Sequence, residues 1–139
     1  MKLITEHHYY QTKGNCDILN LSDNLYNSFE KCGLKNGNVT VFAVGSTAAI
    51  STIEYEPGLI QDLPDIFEKF IPSNKFYHHN NTWGDNNGHS HLRATLVGCS
   101  KTIPFVNGEL LLGTWQQVIL IDFDEKPRNR KVIFQFIGE

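Results

Sequence analysis

Hydrophobic and polar positions along the chain alternate in short β-like runs, interrupted by two helical stretches and one long polar segment. Lys2–Thr12, rich in Ile, Thr and Tyr, predicts a first strand. Leu21, Leu25, Tyr26 and Phe29 recur at helical spacing and predict a helix over Ser22–Cys32, with Ser22 as its N-cap and Gly33 as its C′ stop. Asn36-Gly37 marks a turn, and Val39–Val44 a β-branched strand ending at Gly45. Ala48–Tyr55 predicts another strand. Pro57 then opens a helix whose buried stripe is Leu59, Leu63, Ile66, Phe67 and Phe70. Pro64 lies within that stripe and predicts a kink or a break near Leu63.

Residues 71–88 are polar and carry few aliphatic side chains, and unstructured loops of that length are usually functional or disordered. Leu92, Leu96 and Cys99 suit a short helix, although ATLV at 94–97 reads equally well as strand. Lys101–Val106, the turn Asn107-Gly108 and a long strand Glu109–Phe123 predict a hairpin, and Arg130–Ile137 a closing strand. The last third is thus expected to be an antiparallel meander. GELLLGTWQQVILIDF alternates poorly, as a strand buried on both faces or lying at a subunit contact would. The expected fold class is α+β: an antiparallel or mixed β-sheet with two to three helices packed on it and a C-terminal β-meander.

With 139 residues the chain is expected to form one domain, 1–139, large enough to fold without a disulfide or a structural metal. A metal would therefore be functional. The formal charge of −3 argues against a nucleic-acid partner, which requires concentrated Lys and Arg. KPRNRK at 126–131 is the one basic cluster and reads as a solvated turn. Cys16, Cys32 and Cys99 are odd in number and far apart, which suits a reducing compartment. The N-terminus lacks an apolar signal core, and runs such as VILI at 118–121 fall far short of the roughly 20 residues that span a bilayer, so a cytoplasmic protein with no membrane partner is expected.

The polar segment changes this plain picture. HHNNTWGDNNGHSH at 78–91 holds four of the six histidines. Divalent metals bind neutral imidazole, often with a carboxylate. His89 and His91 fall on one side of an extended backbone but diverge by about 200° on a regular helix, so joint ligation needs an extended chain there, or His89 ahead of a helix with His91 in its first turn. A third ligand would be His78 or His79, and Asp85 is either a ligand or the acceptor that fixes an imidazole tautomer. Exposed loops also collect His, Asn and Asp without binding anything. His7 and His8 read as strand residues on alternate faces.

Four stretches carry a resemblance to the YjbQ-like family of secondary thiamine-phosphate synthases: GSTAAISTIEYEP at 45–57, NNGHSHLRATLVG at 86–98, SKTIPFVNGELLLGTWQQ at 100–117 and RKVIFQFIGE at 130–139. The resemblance implies a compact α+β fold assembled as a homotrimer, with a site of histidines and nearby acids. It also implies a weak synthase activity that joins a pyrimidine methyl pyrophosphate to a thiazole phosphate and expels pyrophosphate. The family's histidines match His79 and His91, with His89 matching the HxH form of one branch; its strand-end acid matches Glu54, and its helix-start acids match Glu56 and Asp62. Many members carry His-Thr-Ser-Ala where this chain has Gly45-Ser46-Thr47-Ala48, so one imidazole of that pattern is absent.

Displacing pyrophosphate requires positive charge or N–H donors at the leaving oxygens. Arg93 and Lys101 offer charge, and Ser46 and Thr47 offer hydroxyls and amides, although Arg93 also reads as a surface cation and 45–47 as an ordinary turn. Glu54 stands among apolar strand residues, where an ionised carboxylate needs a partner, or else faces solvent at the strand end. Trp83 suits a ligand lid; Trp115 reads as core or as a stacking surface. The site expected is therefore Glu54, Asp62 and Arg93 for catalysis, Ser46, Thr47 and Lys101 for phosphate, and His79, His89, His91 and Asp85 for a divalent metal, Zn or Mg/Mn. The expected function is a metal-assisted transferase on a small phosphorylated metabolite. The alternatives are a metal-dependent hydrolase of such a metabolite and a non-catalytic trimeric protein that binds a metal or an anion.

Overall fold

A computed structural model describes residues 1–139. Eight strands and four helices follow in the order β1 (Lys2–Gln11), β2 (Asp17–Asn20), α1 (Ser22–Cys32), β3 (Gly37–Val44), β4 (Ala48–Ile53), α2 (Pro57–Phe70), α3 (His79–Trp83), α4 (Gly88–Val97), β5 (Ser100–Val106), β6 (Glu109–Leu110), β7 (Gln117–Asp122) and β8 (Asn129–Gly138). The α+β class holds. The strands form two sheets, ordered β1-β8-β3-β5-β6 and β2-β7-β4, with antiparallel pairing throughout.

Period-two burial builds the layers. Val39, Val41 and Ala43 of β3 and Val132, Phe134 and Phe136 of β8 point inward, meeting Ile50 of β4, Val118 and Leu120 of β7, and Leu21, Leu25 and Phe29 around α1. On the other face of the small sheet, Ala49, Ile119, Ile121 and Phe123 form a second core with Ala94 of α4 and the partly buried Ile60, Leu63 and Phe67 of α2. β7 is accordingly sealed on both faces, as its unbroken apolar run predicts. The outer face of the five-stranded sheet carries no covering layer, and Leu3, Tyr9, Phe42, Val44 and Ile137 lie exposed on or beside it. No helix is long and apolar enough to cross a membrane.

Several local expectations are corrected. The run Glu109–Phe123 is not one strand: Gln116 turns the chain, its amide oxygen accepting from the Gly113 N–H at 3.0 Å while its own N–H donates to the Gly113 carbonyl. β7 then crosses to the small sheet and β8 inserts between β1 and β3, so the closing strands are no simple meander. Pro64 does not end α2, because packing of Ile60, Leu63 and Phe67 on the second core outweighs one lost backbone hydrogen bond. Ile66 and Phe70, expected in that buried stripe, face solvent. Ser22 is the first helical residue rather than the cap; its hydroxyl instead accepts from the Val118 N–H, tying α1 to β7. The polar segment holds a short helix, α3. The Asn107-Gly108 turn has positive φ at both residues, 52° and 80°, as a two-residue hairpin requires.

Candidate functional site

α3 and α4 bring the polar segment back on itself above the β3–β4 loop. His79 opens α3, Asp85 and Asn87 lie in the connection, and His91 sits one turn into α4. His79 Nε2 stands 3.1 Å from Asn87 Oδ1 and 3.6 Å from Asp85 Oδ1. The His91 ring packs on the His79 ring at 4.4 Å between centroids. Burial, with the nearby His79, holds the His91 imidazole below its ordinary pKa, so it is neutral at pH 7; the Ser46 backbone hydrogen-bonds to the ring.

The Asn87 amide oxygen faces both Asp85 carboxylate oxygens, at 3.1 and 3.3 Å. Acceptor facing acceptor is unfavourable as it stands. Two arrangements relieve it: the amide turns, donating to Asp85 and His79, or a cation lies among the three groups. The donor set suits a cation. His79 Nε2, Asn87 Oδ1 and Asp85 Oδ1 form a triangle with edges of 3.1, 3.1 and 3.6 Å. All three corners of such a triangle lie about 2 Å from one common point, the bond length of Zn or Mg to nitrogen and oxygen. Nowhere do three His, Cys, Asp or Glu side chains meet in this way, so the set depends on the amide.

Beneath the β3–β4 loop lies a second polar cluster, built on two buried carboxylates. Asp122 and Asp124 end β7 and begin the loop after it, and both are buried. Arg130 grips Asp122 with two hydrogen bonds, Nε to Oδ2 at 2.7 Å and Nη2 to Oδ1 at 2.8 Å. Its Nη2 also donates to Thr47 Oγ1, and Thr47 donates to Asp124 Oδ2 at 3.0 Å. Arg128 adds two bonds to Asp124, and the Thr12 hydroxyl donates to Asp122. Burial alone would raise the Asp124 pKa; Thr47 and Arg128 outweigh it and hold the carboxyl below its usual range.

The structure divides the expected residues. His79, Asp85 and His91 come together. His89 does not join them: both residues of the HxH lie inside α4, so their side chains diverge. His89 is instead buried in a small polar cavity with Cys16, Glu68 and Arg93. Burial, then the charge of Arg93, hold its imidazole below the ordinary value, and burial pushes the Cys16 thiol up to about 12, so neither group is charged at pH 7. Arg93 is a buried strap rather than a free cation: Nε and Nη2 donate to the Ile71 carbonyl at 3.0 and 2.8 Å, and Nη2 to Glu68 Oε1 at 2.7 Å. Glu54 faces solvent at the end of β4, and Asp62 lies exposed on α2. Glu56 is occupied in capping α2, accepting from the Gly58 and Leu59 N–H groups. Lys101 donates to the Val97 carbonyl and lines a separate cavity with Thr52 and Gln116. Ser46 does reach the site, lining a cavity of about 270 Å³ with Gly45 and His91, while Thr47 is committed to the cluster beneath. Trp83 and Trp115 are both exposed, and His8 turns inward onto Phe134 while His7 faces out.

Asn87 and Arg130 went unread in the sequence. An asparagine in a polar loop carries no signal. Arg130 did carry one: it is in phase with Val132, Phe134 and Phe136 and so points to the core rather than into a solvated turn.

The profile described as UPF0047 protein YjbQ-like matches residues 6–139. A UPF0047 protein of Methanothermobacter thermautotrophicus is 34% identical over 139 residues, covering 100% of this chain and 95% of the relative. Another, from Archaeoglobus fulgidus, is 36% identical over 123 residues, covering 88% and 93%. A crystal structure of a YbjQ-like protein of unknown function from Sulfolobus solfataricus superposes with a TM-score of 0.93 at 31% identity, covering 99% of each chain.

Proposed function

The chain belongs to the UPF0047 YjbQ-like family, and from that premise we propose that the cluster at the α3–α4 connection is a divalent-metal site serving transfer chemistry on a small phosphorylated metabolite. Thiamine phosphate formation from a pyrimidine methyl pyrophosphate and a thiazole phosphate is the reaction proposed. One observation carries the reading: His79 Nε2, Asp85 Oδ1 and the Asn87 side-chain amide stand 3.1 to 3.6 Å from one another around one point, which a cation can occupy when the amide oxygen faces it.

The chain's own residues divide the work. His79 Nε2, Asp85 Oδ1 and Asn87 Oδ1 would hold Zn or Mg/Mn. A metal bound there supplies positive charge for the oxygens of a departing pyrophosphate. His91, kept neutral, packs against His79 and fixes its ring, and Ser46 lines the cavity beside it. Buried His89 and strapped Arg93 position α4 rather than touch substrate. A homotrimer is part of the proposal, supported by the uncovered apolar face of the five-stranded sheet, which would bury Leu3, Phe42, Val44 and Ile137.

The test measures thiamine phosphate formed by the purified chain with and without chelator, alongside His79→Ala and the metal content of both proteins. Activity that falls with chelator, with metal and activity lost together in the variant, is expected. Equal activity in all four arms overturns the metal reading. Release of pyrophosphate without thiamine phosphate assigns the site to hydrolysis instead.

A further inference from the structure

Arg130 is committed through two of its three nitrogens. Nε and Nη2 are spent on Asp122 and Thr47, but Nη1 makes no hydrogen bond within the protein, although the side chain is only 10% exposed. A guanidinium edge held so rigidly and left without an acceptor calls for one from outside. Gly45 decides where that edge opens. A β-carbon at Gly45 would stand 2.8 Å from Nη1, and only Arg130 lies within 4 Å of it. The backbone there lies outside the left-handed region, so the glycine supplies space over Nη1 rather than an unusual φ.

The loop beside that gap carries unpaired donors. The backbone N–H groups of Gly45, Ser46 and Thr47 make no hydrogen bonds within the chain, and Ser46 is exposed. Gly45 and Ser46 also line, with His91 and Ala94, a cavity of about 270 Å³ next to this loop. Arg128 and Arg130 balance Asp122 and Asp124, so the cluster beneath is neutral. Recognition would rest on directed N–H groups rather than on net charge.

We propose that Arg130 Nη1 and the Gly45–Thr47 loop form an anion subsite that takes one phosphoryl group of the ligand. This deepens the reading given above, and rests on it for the claim that the ligand is a phosphorylated metabolite; His91 lies between the subsite and the His79 cluster. Arg130 is then a ligand-binding residue, and the missing side chain at position 45 is what gives it access.

Titrating inorganic phosphate and pyrophosphate calorimetrically into the full chain, in buffer containing chelator, tests the subsite apart from any metal. Gly45→Ala is the diagnostic variant: its backbone accepts alanine, and the methyl group must displace Nη1. The wild type is expected to bind pyrophosphate, and the variant to bind it about tenfold or more weakly, the loss of one charge-assisted hydrogen bond. Arg130→Lys, checked for folding by circular dichroism, should weaken binding similarly. No binding by the wild type, or equal affinity in wild type and Gly45→Ala, overturns the proposal. Because the titration is metal-free, its failure leaves the His79 site standing, and loss of the metal reading leaves this one standing.

Discussion

Two polar clusters flank the β3–β4 loop, and they solve the cost of polar burial in opposite ways. Around Arg130 every carboxylate oxygen of Asp122 and Asp124 has a donor, and two cations meet two anions. Around His79 an imidazole, a carboxylate and an amide meet at side chains that remain about one-third exposed, 30% for His79 and 35% for Asp85. The first cluster is closed at its carboxylates: their hydrogen bonds are complete and join β7, β8 and the β3–β4 loop, and only the Nη1 edge of Arg130 is left over. The second is open to two completions, an Asn87 amide turned to donate to Asp85 and His79 or the cation proposed above. Residue type does not separate structural from functional polar groups here; completeness of the hydrogen-bond inventory does.

The largest effect is expected from opening the closed cluster. Asp122→Asn leaves Arg130 charged, buried and facing a neutral amide. Removing one partner of a buried ion pair costs about 3–5 kcal/mol, a large share of a domain's whole stability. Urea denaturation of wild type and variant at pH 7 measures it. A loss below about 1 kcal/mol would mean that Arg130 relaxes toward solvent and that the cluster is not closed.

A smaller effect, and a sharper contrast, comes from Asn87→Asp. If the three lone pairs surround a cation, a second carboxylate strengthens the site, and metal affinity should rise by about tenfold, near 1.4 kcal/mol. Without metal, two carboxylates about 3 Å apart repel, and the variant should melt lower until metal is supplied. Calorimetric metal titration and melting curves in chelator decide this. A variant that melts lower with or without metal shows instead that the Asn87 amide donates to Asp85, and the two clusters would then both be closed.

What could be read in advance follows the range of the forces involved. β1, α1, β3 and the Asn107-Gly108 turn are set by neighbours a few residues apart, and their periodicity showed them. The insertion of β8 between β1 and β3 depends on partners more than 80 residues away, such as Val41 with Phe134, and no local pattern carries that. The break after Leu110 hid for another reason: the Gln116 side chain makes the turn, so no proline or strong turn dipeptide marks it. Within the candidate site, the density of histidine marked a segment in which the structure does bring His79, Asp85 and His91 together. His89 stands apart from them because the helix begins one residue ahead of the HxH motif and sends the two rings apart.

The Arg93 strap gives the smallest expected effect and tests whether the other expected cation is also structural. Glu68 reaches it from the last turns of α2; the Arg93 hydrogen bond, with further help from Ser73, holds the carboxyl down to about 2. A lowered folded-state pKa means that the unfolded chain binds the proton more readily. The contribution is therefore present above the ordinary value of 4.5 and is lost as the pH falls through about 2. Glu68 is half exposed, at 49%, so solvent screening reduces what the pKa shift alone would suggest, to roughly 1 kcal/mol or less. Glu68→Gln should therefore lower stability slightly at pH 7, and the difference from wild type should shrink steadily between pH 5 and pH 2, as denaturation at stepped pH will show. Phosphate or pyrophosphate affinity should not change, because Arg93 keeps its two bonds to Ile71 and lies away from the Gly45 loop. A variant with unaltered stability and weakened pyrophosphate binding would return Arg93 to the substrate's side, and would make the cavity around His89 part of the open region rather than of its support.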